Sequence, residues 1–308
     1  LLQVDAAPEL WKQLLAESLE ACADGAQCYP QVAARPFGLL IGFQTHHPFA
    51  KRPTFVALAE LPLGERVIEL RKAETKQQIL SEDDLPDDPA NIFDGVGAFI
   101  QMMLHKLYPL GSVPDYEPTA DSSVAALAAE SGVDPLSLVY DLMLEEDGQA
   151  MLMLPAFNYF DGNHDAIHEM LTHPQAVSGL SDGGAHCGMI CDASIPTYML
   201  THWARDRVRG EKLSLEWVVK KQTLDTATLY GLGDRGTLEV GKRADVNVID
   251  FDNLTLHGPR LAHDLPAGGR RLLQEASGYD YTIVAGEITR DHGVDTGARP
   301  GRLVRGAR

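Results

Sequence analysis

Residues 176–186 read Ala-Val-Ser-Gly-Leu-Ser-Asp-Gly-Gly-Ala-His, a short apolar run that passes straight into a glycine-rich polar turn. The run has the length and composition of a buried strand. Parallel barrels carry their catalytic groups at the C-terminal ends of their strands, and Ser181-Asp182-Gly183-Gly184 would stand at such an end. Glycines after the carboxylate let backbone and substrate approach it closely. A carboxylate so placed suits a general base, but Asp-Gly-Gly is also a common turn, and the tetrapeptide alone leaves both readings open.

Upstream, residues 8–23 read as an amphipathic helix with Pro8 in its first turn, Trp11, Leu14, Leu15 and Leu19 on one face and Gly25 past its end. A strand is expected over residues 26–33, stopped at Arg35-Pro36. The stretch from Phe37 to about residue 150 is mixed, with an apolar run, a Thr45-His46-His47-Pro48 turn, helices and the acidic segment 81–89. His46 and His47 are adjacent, and adjacent side chains on a strand or turn diverge, so they are not read as a metal pair. One helix is opened by Asp121 and closed by Gly132, a second by Asp134-Pro135, and a third runs from Asn163 to His173-Pro174. Residues 214–230 look helical. From residue 235 the pattern changes to short strands: TLEVG, ADVNVID and YTIVAGEITRDHG. The body is therefore α/β and the tail mainly β.

With 44% hydrophobic and 7% aromatic residues in 308, the chain can bury a substantial core and is no disordered or fibrous protein. Lys and Arg number 26 against 44 Asp and Glu, a net charge of -18, so a polyanion would be repelled and nucleic acid is not an expected partner. No apolar run reaches the roughly 18 to 20 residues that span a bilayer, and no secretory leader is visible. A cytoplasmic protein without a membrane partner is expected. Cys187 and Cys191 stand four apart without a second pair at zinc-site spacing, so no structural zinc is expected there, and reduced thiols are the default. The chain opens at Leu1 rather than Met, which suggests a fragment or a processed chain.

The order of the C-terminal segments resembles the amidohydrolase superfamily. After Ser-Asp-Gly-Gly-Ala-His come Lys221-Gln222-Thr223-Leu224-Asp225-Thr226-Ala227, then Tyr230-Gly231-Leu232, and then the block from Asp234 to Val246 with its Gly236-x-Leu238-x-x-Gly241-x-x-Ala244-Asp245 spacing. In that superfamily this block leaves the barrel for a small β-sandwich, which a later strand, here Ile283-Val284-Ala285-Gly286, completes. Within it the sequence is similar to the D-aminoacylase, or N-acyl-D-amino-acid deacylase, branch. That branch carries D-x-Y-P-Y on its seventh barrel strand. Here Gln27-Cys28-Tyr29-Pro30-Gln31 stands in its place, matching at Tyr29 and Pro30 and departing at Gln27 and Gln31.

The resemblance implies an α/β fold: the C-terminal part of a (β/α)8 TIM barrel over residues 1–232, with an inserted helical segment at 37–150 over the active-site mouth and a β-sandwich portion with its tail at 233–308. It implies a zinc-dependent amide hydrolase acting on a small-molecule N-acyl-D-amino acid, with Asp182 as catalytic acid/base and metal ligand. Tyr29 and Arg35 would meet substrate, Arg35 through the planar fork that suits a carboxylate; Ser181, Gly183, Gly184 and His186 would line the same pocket. A surface arginine before proline is the plainer reading of Arg35, a core residue that of Tyr29, and a turn cap that of His186. The family's other ligands, an H-x-H motif on strand one and residues on later strands, have no counterpart upstream of Ala26. A whole barrel takes roughly 250 residues, and zinc wants three or four protein ligands. The missing half is therefore expected in the same longer chain or in a separate one, and this fragment alone is expected to be inactive. A cyclic amidase of the dihydroorotase or hydantoinase kind, or a truncated binding protein without turnover, are the alternatives, and a homo-oligomer is left open.

Overall fold

The computed structural model describes residues 1–88, 90–91, 94–181, 184 and 186–305; Asp182 and Gly183 lie outside the described residues. Helix α1 (Leu10–Ala23) opens the chain, followed by strands β1 (Gln31–Ala33) and β2 (Phe37–Ile41). Then come α2 (Pro53–Leu58), α3 (Leu63–Leu70), α4 (Ala73–Ser81), α5 (Val96–Met102), the short β3 (Tyr108–Pro109), α6 (Val124–Ser131) and α7 (Pro135–Gly148). Strand β4 (Leu152–Phe157), α8 (Asp165–Thr172) and β5 (Val177–Gly179) lead to α9 (Ile195–Tyr198), which runs on as a π-helical stretch, Met199–Asp206. Helix α10 (Leu215–Lys220) continues through a second π-helical stretch, Lys221–Asp225, into α11 (Thr226–Leu229). The remainder is strand: β6 (Val246–Ile249), β7 (Thr255–Leu256), β8 (Arg260–Ala262), β9 (Arg271–Leu273), β10 (Ala276–Ser277), β11 (Tyr279–Val284), β12 (Glu287–Asp291) and β13 (Val294–Asp295).

Some helix boundaries follow the caps legible in the chain, but α6 is capped by Ser123, which accepts from the Ala126 amide, and not by Asp121, and the N-cap position of α8 is His164. Asp134 accepts from the Ser137 amide ahead of α7, Gly132 closes α6 in the left-handed conformation, and Asn163 accepts from the Asp165 amide ahead of α8. Strand extents came out shorter: residues 26–30 stay outside β1. The expected TLEVG strand does not form. It has no partner strand among the described residues, and Leu238 and Val240 project into solvent. Ala285 and Gly286 take positive φ between β11 and β12, the requirement of a two-residue hairpin turn. Asp245 ties that turn down by accepting from the Ala285 amide, while Gly286 donates to the Ala244 carbonyl. The Ala-Asp pair of the sequence motif thus anchors the Val-x-Gly hairpin.

Strands β1 and β5 pair in parallel with Ala33 opposite Gly179, so Ala34-Arg35 and Leu180-Ser181 leave the same end of the pair side by side. The segment between them contains an antiparallel sheet in the order β2-β4-β3. Its apolar residues form a core of their own, with Ile41, Phe43, Phe49, Phe55, Leu70, Ile79, Ile100, Tyr140 and Leu154 buried together. A second core joins α1, β1, α8, the π-helical stretch and α10 through Trp11, Val32, Ile167, Met170, Trp203 and Val218, and takes in Leu254 and Leu272 from the C-terminal strands. Strands β13-β12-β11-β6 form an antiparallel sheet beyond it. The architecture is mixed α/β, and no sheet among the described residues closes into a barrel.

Leu70 is fully enclosed in the core of the 41–154 segment. Leu70→Ala is expected to lower unfolding stability by about 2–5 kcal/mol, read by urea denaturation; a loss under about 0.5 kcal/mol, the range of ordinary surface changes, would mean that this core is not packed.

Candidate functional site

Arg35 stands two residues beyond β1 and turns inward, 1% exposed. Its guanidinium donates to the Cys191 carbonyl and to Ser194 Oγ at 3.1 Å, lies 3.4 Å from Asp192 Oδ1, and stacks over the Tyr116 ring at 3.9 Å. Ser194 donates in turn to Gln274 Oε1, and Gln274 Nε2 donates to the Tyr116 hydroxyl at 3.0 Å. A buried guanidinium is costly unless acceptors or π-faces meet it. Here the segment after β5 supplies the acceptors and Tyr116, after β3, the π-face. Gln274 past β9 bonds Ser194 and Tyr116 in turn, and Nε has no partner among the described residues.

The neighbour of Tyr116 in sequence, Glu117, is the centre of a second buried group. His164 caps α8 and is fully enclosed; its Nε2 lies 2.9 Å from the Tyr116 carbonyl, which can only accept, so Nε2 carries the hydrogen. Its bare Nδ1 accepts from the Tyr198 hydroxyl at 3.5 Å and faces Glu117 Oε2 at 3.7 Å. His202, in the π-helical stretch, stacks on Tyr198 and donates from Nε2 to Glu117 Oε2 at 2.9 Å. Arg207 forks onto the same carboxylate, Nε to Oε2 at 3.2 Å and Nη2 to Oε1 at 3.1 Å, and also holds Asp165 Oδ1 at 2.8 Å. Gly210 is required beside it, because a Cβ there would fall 2.6 Å from the guanidinium. Burial alone would raise the Glu117 carboxyl; the His202 hydrogen bond, His164 and Arg207 more than offset this and hold it well below the usual carboxylate range. Burial lowers His164 to about 3, against the pull of Glu117.

Glu117, His164 and His202 offer one ligand atom each within 4.8 Å of one another, the spacing a metal ion requires. Their electrostatics do not fit a resident divalent cation. Glu117 already receives four donors, His202 Nε2 and Arg207 Nε on one oxygen, the His164 amide and Arg207 Nη2 on the other. A carboxylate has about four acceptor sites. Arg207 also sets a fixed positive charge at the carboxylate, and with Asp165 and Arg209 nearby the charges balance without a metal. The group is a closed hydrogen-bonded ion network.

Of the residues singled out in the sequence, Arg35 and Ser181 follow the C-terminal ends of the β1–β5 pair, whereas Tyr29 precedes β1 at its other end. Tyr29 is 52% exposed rather than in the core. Arg35 is not the surface arginine that its place before proline suggested; its fork is engaged inside the protein. Ser181, Gly184 and His186 are exposed, and Leu180, Gly184 and His186 all take positive φ. Asp182 and Gly183 lie outside the described residues. His47 is buried among Phe43, Phe49 and Phe55 and accepts from the Phe49 amide. A crevice of about 290 Å³ runs between residues 109–112, 142–152 and 258–261, and Tyr29, Arg35, Ser181, Gly184, His186 and His47 are not among its lining residues. Sequence reasoning missed Glu117, His164, His202 and Arg207. The one signal available was the dense run Thr201-His202-Trp203-Ala204-Arg205-Asp206-Arg207, which mixes charge and aromatics too closely for an ordinary solvated helix face.

A family model described as amidohydrolase family matches residues 12–290. No curated protein matches the chain. Among solved structures, the crystal structure of D-aminoacylase that defines a novel subset of amidohydrolases is 21% identical, covering 64% of this chain and 37% of its own, with a TM-score of 0.36. A D-aminoacylase mutant in complex with copper chloride is 21% identical over the same shares with a TM-score of 0.37. A third, from work on the binuclear metal centre of D-aminoacylase, is 20% identical, covering 77% of this chain and 44% of its own, with a TM-score of 0.36. The chain spans less than half the length of these proteins, and superpositions this loose carry no argument about the site.

The network makes stability fall in acid. An unfolded His164 takes a proton near its ordinary value of 6.5, while the folded one resists to about 3, so the unfolded state holds more protons across that window and stability drops as pH falls through it. Glu117, held below its ordinary value, adds a loss of the same sign at the acid end. His47 is also lowered to about 3 by burial and contributes independently. His164→Gln is expected to flatten the slope by up to about 1.4 kcal/mol per pH unit, read by chemical denaturation between pH 7 and 4; an unchanged slope would show that His164 takes up its proton in the folded state.

Proposed function

The chain belongs to the amidohydrolase family, and we propose that it forms the C-terminal part of a longer metal-dependent amide hydrolase of the D-aminoacylase branch, releasing a carboxylic acid and a free D-amino acid from N-acyl-D-amino acids. The observation that carries this reading is the parallel β1–β5 pair, whose C-terminal ends lead on one side to Arg35 and on the other into Ser181-Asp182. Catalytic groups of parallel barrels occupy that end of their strands. On this reading β1 and β5 are the last two strands of a (β/α)8 barrel, residues 1–232 belong to it, and residues 233–308 form the β-sandwich portion. The 37–150 insertion begins at β2, two residues beyond Arg35, and encloses its own core, which supports a cover over the active-site mouth.

Asp182 is the proposed catalytic carboxylate and one ligand of a zinc ion. Since a lone carboxylate does not hold zinc, the remaining ligands come from the barrel strands outside this chain, and the saturated Glu117 group is not among them. Zinc in such a site lowers the pKa of bound water to about 7. Asp182 accepts a proton from the attacking water and delivers it to the departing amine. Tyr29, exposed ahead of β1, and Ser181, Gly183, Gly184 and His186 are the proposed substrate contacts.

The longer protein is expected to release free D-amino acid from N-acyl-D-amino acids, and Asp182→Asn to reduce kcat by about 10²–10⁴-fold. Wild-type turnover in the Asp182→Asn protein would exclude the assignment.

A further inference from the structure

Resting on the deacylase reading, we propose that Arg35 is a positioning residue for the turn that carries Asp182, acting on the protein backbone rather than on the substrate carboxylate. Three independent ties hold the segment that follows this turn. The Leu40 amide from β2 donates to the Met189 carbonyl at 2.8 Å, the Leu272 amide from β9 donates to the Cys187 carbonyl at 2.6 Å, and Arg35 from the end of β1 donates to Cys191 and Ser194. Arg35 is the side chain among them, and it arrives from the strand that pairs with β5. The segment needs such ties. Leu180 at φ 57° holds a backbone conformation that bulky residues avoid. Conformations of this kind persist only where the surroundings over-determine them.

The fork of Arg35 is enclosed in the interior, at 1% exposure, and does not open to a ligand. One Nη donates to Ser194, the other to Cys191 beside Asp192, and the face of the guanidinium is covered by Tyr116. Nε has no partner among the described residues, and it is buried. A substrate carboxylate would have to displace contacts that close the interior. The Arg35 contacts instead tie the end of β1 to residues 191–194, the segment that follows the turn after β5. Loss of Arg35 should therefore impair turnover while leaving ground-state binding of substrate largely intact.

The test compares Arg35→Met and Arg35→Lys in the longer protein by steady-state kinetics on an N-acyl-D-amino acid and by amide hydrogen exchange over residues 186–194. The expected result is a fall in kcat of tenfold or more with KM within twofold for Arg35→Met, part of the rate restored in Arg35→Lys, and exchange over 186–194 accelerated at least tenfold in the methionine variant. A rise in KM at unchanged kcat would make Arg35 a substrate contact and overturn the proposal, as would unchanged exchange over 186–194. If Arg35→Met does not fold, Arg35→Lys is judged by the same KM, kcat and exchange criteria. If the wild-type protein turns over no N-acyl-D-amino acid, the deacylase reading fails by itself, and the exchange comparison still decides whether Arg35 holds the segment.

Discussion

A guanidinium taken out of water is costly to bury unless acceptors and π-faces meet it. This chain buries two, Arg35 at 1% and Arg207 at 1% exposure, and both close on the same dipeptide. Arg35 lies over the Tyr116 ring, and Arg207 grips the Glu117 carboxylate. Tyr116-Glu117 sits on the return from β3 toward α6, so the inserted segment is fastened at this point to β1, α8 and the π-helical stretch together. Breaking one half of such a pair leaves the other charge buried and unmatched, at about 3–5 kcal/mol. The two cores can therefore keep separate apolar interiors and still act as one framework around the open ends of β1 and β5.

The same saturation separates two kinds of histidine-carboxylate cluster that look alike on a list of ligand atoms. Spacing alone makes Glu117, His164 and His202 a metal site. Counting donors shows each acceptor already filled and each charge already answered, with His164 neutral and its tautomer pinned by the Tyr116 carbonyl. In this respect the molecule uses its most buried titratable groups to hold shape, and leaves the chemistry proposed for it to an exposed turn flanked by Ser181, Gly184 and His186.

Local chemistry made much of the fold legible in advance. Asp134 caps α7, Asn163 makes a local turn onto the Asp165 amide ahead of α8, Gly132 ends α6 in the left-handed conformation, and the Ala285-Gly286 hairpin forms between alternating strands, because each depends on neighbours within a few residues. The TLEVG segment fails for the opposite reason: a strand needs a partner, and among the described residues none is offered to Leu238 and Val240. Likewise Glu117 meets His202 across 85 positions and Arg207 across 90, a convergence that no periodicity encodes. The candidate site was legible only as a turn after a strand. Its proposed carboxylate owes its meaning to the parallel register of β1 and β5, which fixes which ends of the chain lie together.

The central claim is that the catalytic metal of this amidohydrolase belongs with Asp182 and not with the Glu117 network. Metal stoichiometry of the longer protein by inductively coupled plasma mass spectrometry tests it most directly, with Asp182→Ala and His202→Ala purified beside the wild type. The account predicts a full complement of metal in the wild type and in His202→Ala and a reduced one in Asp182→Ala; metal lost from His202→Ala and retained by Asp182→Ala would contradict it.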